Sequence, residues 1–404
     1  MTERRYELLP RDMLFFRDGR PMDADKAQGE NVRYIGHGAV WPRPDHLFNG
    51  VMHALLSETT DAGFGDFMSL KVMGPYPVKR DSSATDVLFL PRPLDWDMAI
   101  EPCADTDLPA PLEYGFIDIT EGKKKLPAWV TASDFKKYLD GKDREMYHEI
   151  EKDKNGKTRT VVKFPYSDGN LFGTEVRVGT TLDAATGASK RMECPHASGQ
   201  YQGEYLRLQK NVSMWCAVET GKIGKANDAP EAPEMPHAIV MGGQGGVVVR
   251  CDTDIDLARD FPAPIVADDR ESFVRWTLIA PALFLQTGWL PGWCKDSRKD
   301  TADLQPLGTV MFPDCGDCKL VGACVGKPMS FSGWDQKDGA KPTVLAVPQG
   351  SAYLFRCKGK SASEALIRRL HLQRQSDFGP KGFGVGICSI VKPDIVKQLD
   401  SNNN

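Results

Sequence analysis

Four glycines fall within eight residues near the end of the chain, Gly379-Pro380-Lys381-Gly382-Phe383-Gly384-Val385-Gly386, and their flanks narrow the choice of fold. Before them, Ser363 can cap a helix that turns Leu366, Ile367 and Leu370 inward and Arg368 and Arg369 outward. After them, Ile387-Cys388-Ser389-Ile390-Val391 reads as a closing strand. Glycines let backbone N–H groups approach a phosphate closely, so the segment is either a phosphate cradle or a tight structural turn. Direction excludes the common nucleotide enzymes. A dinucleotide fingerprint follows a strand and opens a helix, and a Walker loop ends in Gly-Lys-Ser/Thr, whereas this run follows a helix and enters a strand. In the cradle reading Gly379, Gly382 and Gly384 bend the backbone, Lys381 supplies charge and Phe383 a face for base stacking.

A nucleic-acid reading needs a local basic patch. The 51 Lys and Arg are outnumbered by 55 Asp and Glu, so the field of the whole molecule repels a polyanion. Arg11, Arg17, Arg20, Arg33 and Arg43, interleaved with Phe15, Phe16, Tyr34 and Trp41, have the mix of cation and aromatic that suits single-stranded RNA, or are scattered surface arginines. His37, between Gly36 and Gly38, is a general acid or base in an open loop, or a polar contact. Gln244 sits among four more glycines with no cation, a turn or a second ligand loop. Leu47, Phe48, Val51, Met52, Leu55 and Leu56 share one helical face, with Asp45 available as cap.

Cys315, Cys318 and Cys324 have zinc-ligand spacing, and Cys294 completes a four-thiolate structural site, with Cys194-Pro195-His196 as a substitute ligand source; the other reading is free thiols. At 404 residues the chain is expected to form two domains, 1–226 and 237–404, joined by a Pro- and acid-rich linker at 227–236. The charged stretch 140–160, with Asn155-Gly156, is expected to protrude as a hairpin. The start carries charges and no apolar run of signal length, and no stretch approaches the roughly 18 apolar residues of a membrane span, so the chain is expected in the cytoplasm without membrane contact. No nucleophile elbow, metal-binding His-Glu helix or kinase set is found.

The order of the motifs resembles the third-subunit family of the type III-B CRISPR (Cmr) module, in the repeat-associated mysterious protein (RAMP) superfamily. The resemblance rests on Leu9-Pro10-Arg11-Asp12, Phe15 to Pro21, Gly74-Pro75-Tyr76, Leu90 to Asp95, Glu175 to Gly179, Gly203 to Arg207, Met241-Gly242-Gly243, Pro281 to Phe284, Val347 to Ser351 and Gly382-Phe383-Gly384. It implies an α+β chain of two ferredoxin-like, RNA-recognition-type units with long irregular insertions. It also implies a non-catalytic subunit that holds the 5′ tag of the guide RNA and bridges the large polymerase-cyclase subunit to the backbone RAMP subunits. On that basis the Arg17 to Arg20 loop, His37, Arg177 and the Gly379 to Gly386 loop are the expected RNA contacts. An endoribonuclease using His37, and a scaffold recruiting the large subunit, are the rival readings.

Overall fold

The computed structural model describes residues 2–18, 34–59, 69–103, 112–118, 126–143, 146–152, 158–180, 185–186, 188, 200–222, 231–267, 269–294, 308–332, 334–335, 339–340, 342–392 and 396. Among them the chain is mainly strand with four α-helices, an α+β arrangement. It divides into two compact units, each assembled from separated stretches. The first takes Met1–Ala84, Gly169–Thr253 and Ser330–Val344, and the second takes Thr85–Asp168, Asp254–Met329 and Leu345–Asn404. A single cut at 227–236 does not describe this division, because strand pairing ties Val247–Asp252 to the N-terminal strand.

The core of the first unit is four antiparallel strands, β1 (Thr2–Pro10), β3 (Lys71–Arg80), β12 (Val212–Thr220) and β14 (Val247–Asp252). They lie in the order β14-β1-β12-β3, with β13 (Ala238–Val240) outside β14. Counted along the chain, the order is fourth, first, third, second. Helix α1 (Pro44–Ser57) connects the first of these strands to the second and buries Leu47, Phe48, Val51 and Leu55, as their spacing requires. Its cap is Arg43, with Pro44 in the first turn, two residues before the expected cap Asp45. A second sheet, in the order β10-β11-β2, contains β2 (Tyr34–Gly36), β10 (Phe172–Thr180) and β11 (Gln200–Leu208). β10 and β11 form a nine-residue antiparallel ladder, and β2 runs parallel to β11. The short strands β18 (Trp334–Asp335) and β19 (Gly339–Ala340) pair in the same unit.

The second unit repeats the strand order. β15 (Ser272–Leu278), β16 (Cys318–Cys324), β21 (Ala352–Cys357) and β22 (Gly386–Val391) lie as β22-β15-β21-β16, all antiparallel. β6 (Tyr114–Asp118) adds to β16 in parallel, and β5 (Met98–Pro102) adds to β6. Helix α4 (Lys360–Leu370) joins the third strand to the fourth; Gly359 caps it and Ser363 lies in its first turn. Around this core are β4 (Asp86–Pro91) paired with β7 (Trp129–Thr131), α2 (Ala132–Leu139), α3 (Leu257–Asp260) and the hairpin β8 (His148–Lys152) and β9 (Thr158–Val162). β8 is exposed along its length, Asp143 before it is buried, and Asn155 and Gly156 lie outside the described residues. β17 (Met329–Phe331) and β20 (Val344–Ala346) are short strands near the chain boundaries of the units.

One buried ionic group organises the second unit. Arg275 on β15 donates to Asp95 at 3.2 Å and to the Tyr138 carbonyl at 2.9 Å, its guanidinium lies 3.9 Å from the Tyr138 ring centroid, and the Tyr138 hydroxyl donates to Asp95 at 2.7 Å. Hydrogen bonds to every member are what make such a buried charge tolerable. No helix of the described residues is long and apolar enough to cross a membrane.

Candidate nucleic-acid interface

After Pro10 the chain leaves the first unit's sheet, and residues 11–18 run as a spine between strand β11 and two loops. Leu14 bridges to Leu206 of β11, Phe15 to Gly243, and Arg17 to Gly38. These contacts gather Arg11, Arg17, His37, Gln244 and the β10–β11 ladder that carries Arg177. Arg11 and Arg17 are exposed. Arg177 donates to Glu175 at 2.8 Å, while Arg207 donates to the other oxygen of Glu175 and, at 3.2 Å, to Asp12. Hydrogen bonds from Arg207 and then Arg177 hold the Glu175 carboxyl down at about 2. His37 places Nδ1 3.2 Å from Glu204 Oε2, which also accepts from the Gly38 amide at 3.3 Å. The carboxylate thus orients the ring and leaves Nε2 for another partner.

One close approach in this cluster depends on glycine. Gly242 has φ +80, and a Cβ there would lie 2.5 Å from the Phe15 carbonyl oxygen, so the spine and the β13–β14 turn approach only because it has none. Gln244, exposed at the tip of that turn, holds φ +60. Phe15 and Tyr205, both half-buried, meet with ring centroids 5.4 Å apart and planes tilted by 53°. Arg20 and Arg33 lie outside the described residues. Glu204, Tyr205 and Arg207 lie within the motif Gly203 to Arg207 but are not among the expected site residues; for Tyr205 and Arg207 the signal is the alternation of β11, which puts Gly203, Tyr205 and Arg207 opposite Arg177, Glu175 and Gly173 across the ladder.

The glycine loop in the second unit is built differently from a phosphate cradle. The amides of Gly379, Lys381, Gly382 and Gly384 donate to the carbonyls of Ser376, Phe378, Gly379 and Pro281 at 2.8 to 3.1 Å. Its glycines answer crowding: a Cβ on Gly384 would sit 2.3 Å from the Ser376 Cβ, and one on Gly386 would sit 2.2 Å from Trp276 Nε1. Phe383 is 2% exposed and belongs to the core, so it offers no stacking face. The outward aromatic is Phe378, 50% exposed, with Lys381 Nζ 5.4 Å from its ring centroid.

The model of a CRISPR-associated protein family, Cas_Cmr3, matches residues 6–392. The chain belongs to that family. It is a RAMP-type member, as the motif order led one to expect. Among solved structures, the type III-B Cmr-beta complex bound to cognate target RNA is similar at 12% identity and TM-score 0.43, over 94% of this chain and 95% of that chain. The same complex with AMPPnP also bound matches at 13% identity and TM-score 0.42, over 90% and 88%. The Csm3-Csm4 subcomplex of a type III-A CRISPR-Cas interference complex matches at 10% and 0.38, over 88% and 94%. No curated protein matches.

In this Cas_Cmr3 chain the four expected metal-binding cysteines do not converge. Cys318 and Cys324 are the two ends of β16, and six strand steps span about 20 Å, whereas zinc holds each sulfur at about 2.3 Å. Cys294, Cys315 and Cys318 lie instead in the apolar core with Trp276 and Cys357. Cys318 faces Cys357 across the ladder and donates to the Ala362 carbonyl at 3.4 Å. Burial pushes the Cys315 thiol up to about 12 and raises that of Cys294, as expected of thiols packed in an apolar core. Among the described residues, no group of three or more His, Cys, Asp or Glu is placed to hold a metal ion; Cys194 and His196 lie outside them.

Proposed function

We propose that this Cas_Cmr3 chain is a non-catalytic RNA-holding subunit of a type III-B CRISPR effector complex in the cytoplasm. It grips the 5′ tag of the guide RNA and bridges the large polymerase-cyclase subunit to the backbone RAMP subunits. The observation that carries this reading is the spine at 11–18, which gathers exposed arginines, the oriented His37 and the Phe15–Tyr205 pair from stretches far apart in sequence. Exposed guanidinium groups take phosphates, and partly open rings take unpaired bases. Arg20 and Arg33 are also taken as RNA contacts, from the sequence alone. Each four-strand core is a ferredoxin-like unit, a view supported by the fourth-first-third-second order found twice, with one crossover helix described in each.

The test is fluorescence anisotropy of a short 5′-tag RNA against a scrambled RNA of equal length, with the chain alone and with its co-expressed large subunit. Tag-selective binding is expected. Arg11→Ala and Arg17→Ala should each flatten the salt dependence by about 0.7 per lost phosphate contact on a single strand. Equal or absent binding in both preparations sinks the reading, and an unchanged slope removes those residues from it. A second reading draws on one observation, the His37–Glu204 pair beside the Arg17–Gly38 bridge, which has the base-and-orienter form of an endoribonuclease acting on precursor guide RNA. Cleavage by the purified chain that is lost in His37→Ala with binding retained would favour it; no cleavage by the wild type rejects it.

A further inference from the structure

Phe378, just before the glycine run, combines three properties that core packing does not explain. It holds φ +58, a left-handed conformation unusual for a bulky residue. Its ring is 50% exposed. And both flanks are pinned, so the ring is presented rather than loose. On one side Ser376 Oγ accepts from the Leu283 amide at 2.7 Å and donates to its carbonyl at 3.0 Å, while the Leu285 amide donates to Asp377 Oδ2 at 2.9 Å. On the other, the Lys381 amide donates to the Phe378 carbonyl at 2.9 Å.

We propose that Phe378 is a stacking platform for one unpaired nucleobase of single-stranded RNA, with Lys381 taking the neighbouring phosphate. This rests on the RNA-holding reading above and assigns a subsite in the second unit, outside the spine cluster. A flat ring with a cation within reach of its face matches a base joined to a phosphate. A protein partner fits less well. Leu285, 49% exposed, adds one apolar neighbour, but Gln373, Asp377 and Pro380 are also exposed, and the core of a stable protein interface is larger and depleted of charge. The internally bonded amides suit the glycine loop to fixing the ring in place instead of holding the phosphate itself.

The experiment uses the full chain and tag RNAs carrying one 2-aminopurine at successive positions. One position should be quenched on binding to wild type and to Phe378→Tyr, and released in Phe378→Ala, with affinity falling about 5- to 100-fold, the usual range for losing one stacked base. The salt slope should stay unchanged in Phe378→Ala and flatten in Lys381→Ala. If wild type binds RNA but Phe378→Ala changes neither quenching nor affinity, the platform is overturned and the RNA-holding reading stands. Should Phe378→Ala weaken only capture of the co-expressed large subunit, the ring is a protein contact and the platform is again overturned. Wild type that binds no RNA defeats the RNA-holding reading, and the platform falls with it. Phe378→Gly accepts the same φ without strain, so a folded variant without a ring is available if the alanine variant melts early.

Discussion

At the start of α1 the His46 ring accepts the Arg43 amide on Nδ1 at 3.2 Å and stacks on Phe16, with centroids 5.1 Å apart. A protonated imidazole has no lone pair for that bond. Burial lowers the His46 pKa from 6.5 to about 4, against the opposing pull of Asp45. The unfolded chain takes up this proton near 6.5 and the folded chain only near 4, so between those values the unfolded state holds more protons and stability falls as the pH drops. Burial also lowers the His371 pKa, and it contributes with the same sign. The His46 contribution is at most about 3 kcal/mol. The urea midpoint should therefore decline from pH 6.5 towards 4, and His46→Gln should flatten that decline; an equally steep decline in the variant would exclude His46 as its source. The apolar face of α1 was legible in the sequence and its cap was not, because what decides the corner is a bond of Asp45 to Arg43 two residues away. The Arg275–Asp95 pair was less legible still, since its partners are 180 residues apart.

The order of α4, glycine loop and closing strand β22 was legible because glycine punctuates a chain wherever a helix must stop and a strand begin. Which loop amides were free was not legible, because the acceptor of the Gly384 amide is the carbonyl of Pro281, about a hundred residues earlier. Phe383, the stacking face of the cradle reading, is buried for a related reason: facing is set by where the left-handed residues fall, at Phe378, Gly382 and Gly384. Gly384→Ala tests the packing role. At φ +69 the added methyl would meet Ser376 Cβ at 2.3 Å and the Gln375 carbonyl carbon at 2.8 Å. Strain and overpacking each cost about 1–3 kcal/mol, so the denaturant midpoint should fall clearly. A midpoint equal to wild type would mean that the loop is not packed as described.

Each unit draws on chain from both sides of the linker expected at 227–236, and that interleaving governs how the molecule can be divided. A fragment ending at residue 226 keeps β1, β3 and β12 but lacks β14, the partner of β1 along Tyr6 to Pro10. It also keeps residues 85–168 without the second unit's central strands. In that fragment Asp95, 3% exposed in the full chain, loses Arg275, and Trp96, Phe135 and Tyr138, all 1% exposed or less, lose part of their surroundings. Removing one partner of a buried ion pair alone costs about 3–5 kcal/mol, comparable with the roughly 5–15 kcal/mol that holds a typical domain folded. Fragment 1–226 should therefore show no cooperative thermal transition and rapid proteolysis, whereas the full chain melts cooperatively. Sequence composition marks loops well and strand partners poorly, and here the strand partners decide the division, since Val247–Asp252 pairs with the N-terminal strand. A fragment 1–226 that melted cooperatively would show that the N-terminal sheet closes without β14, and would restore the linker as the true boundary.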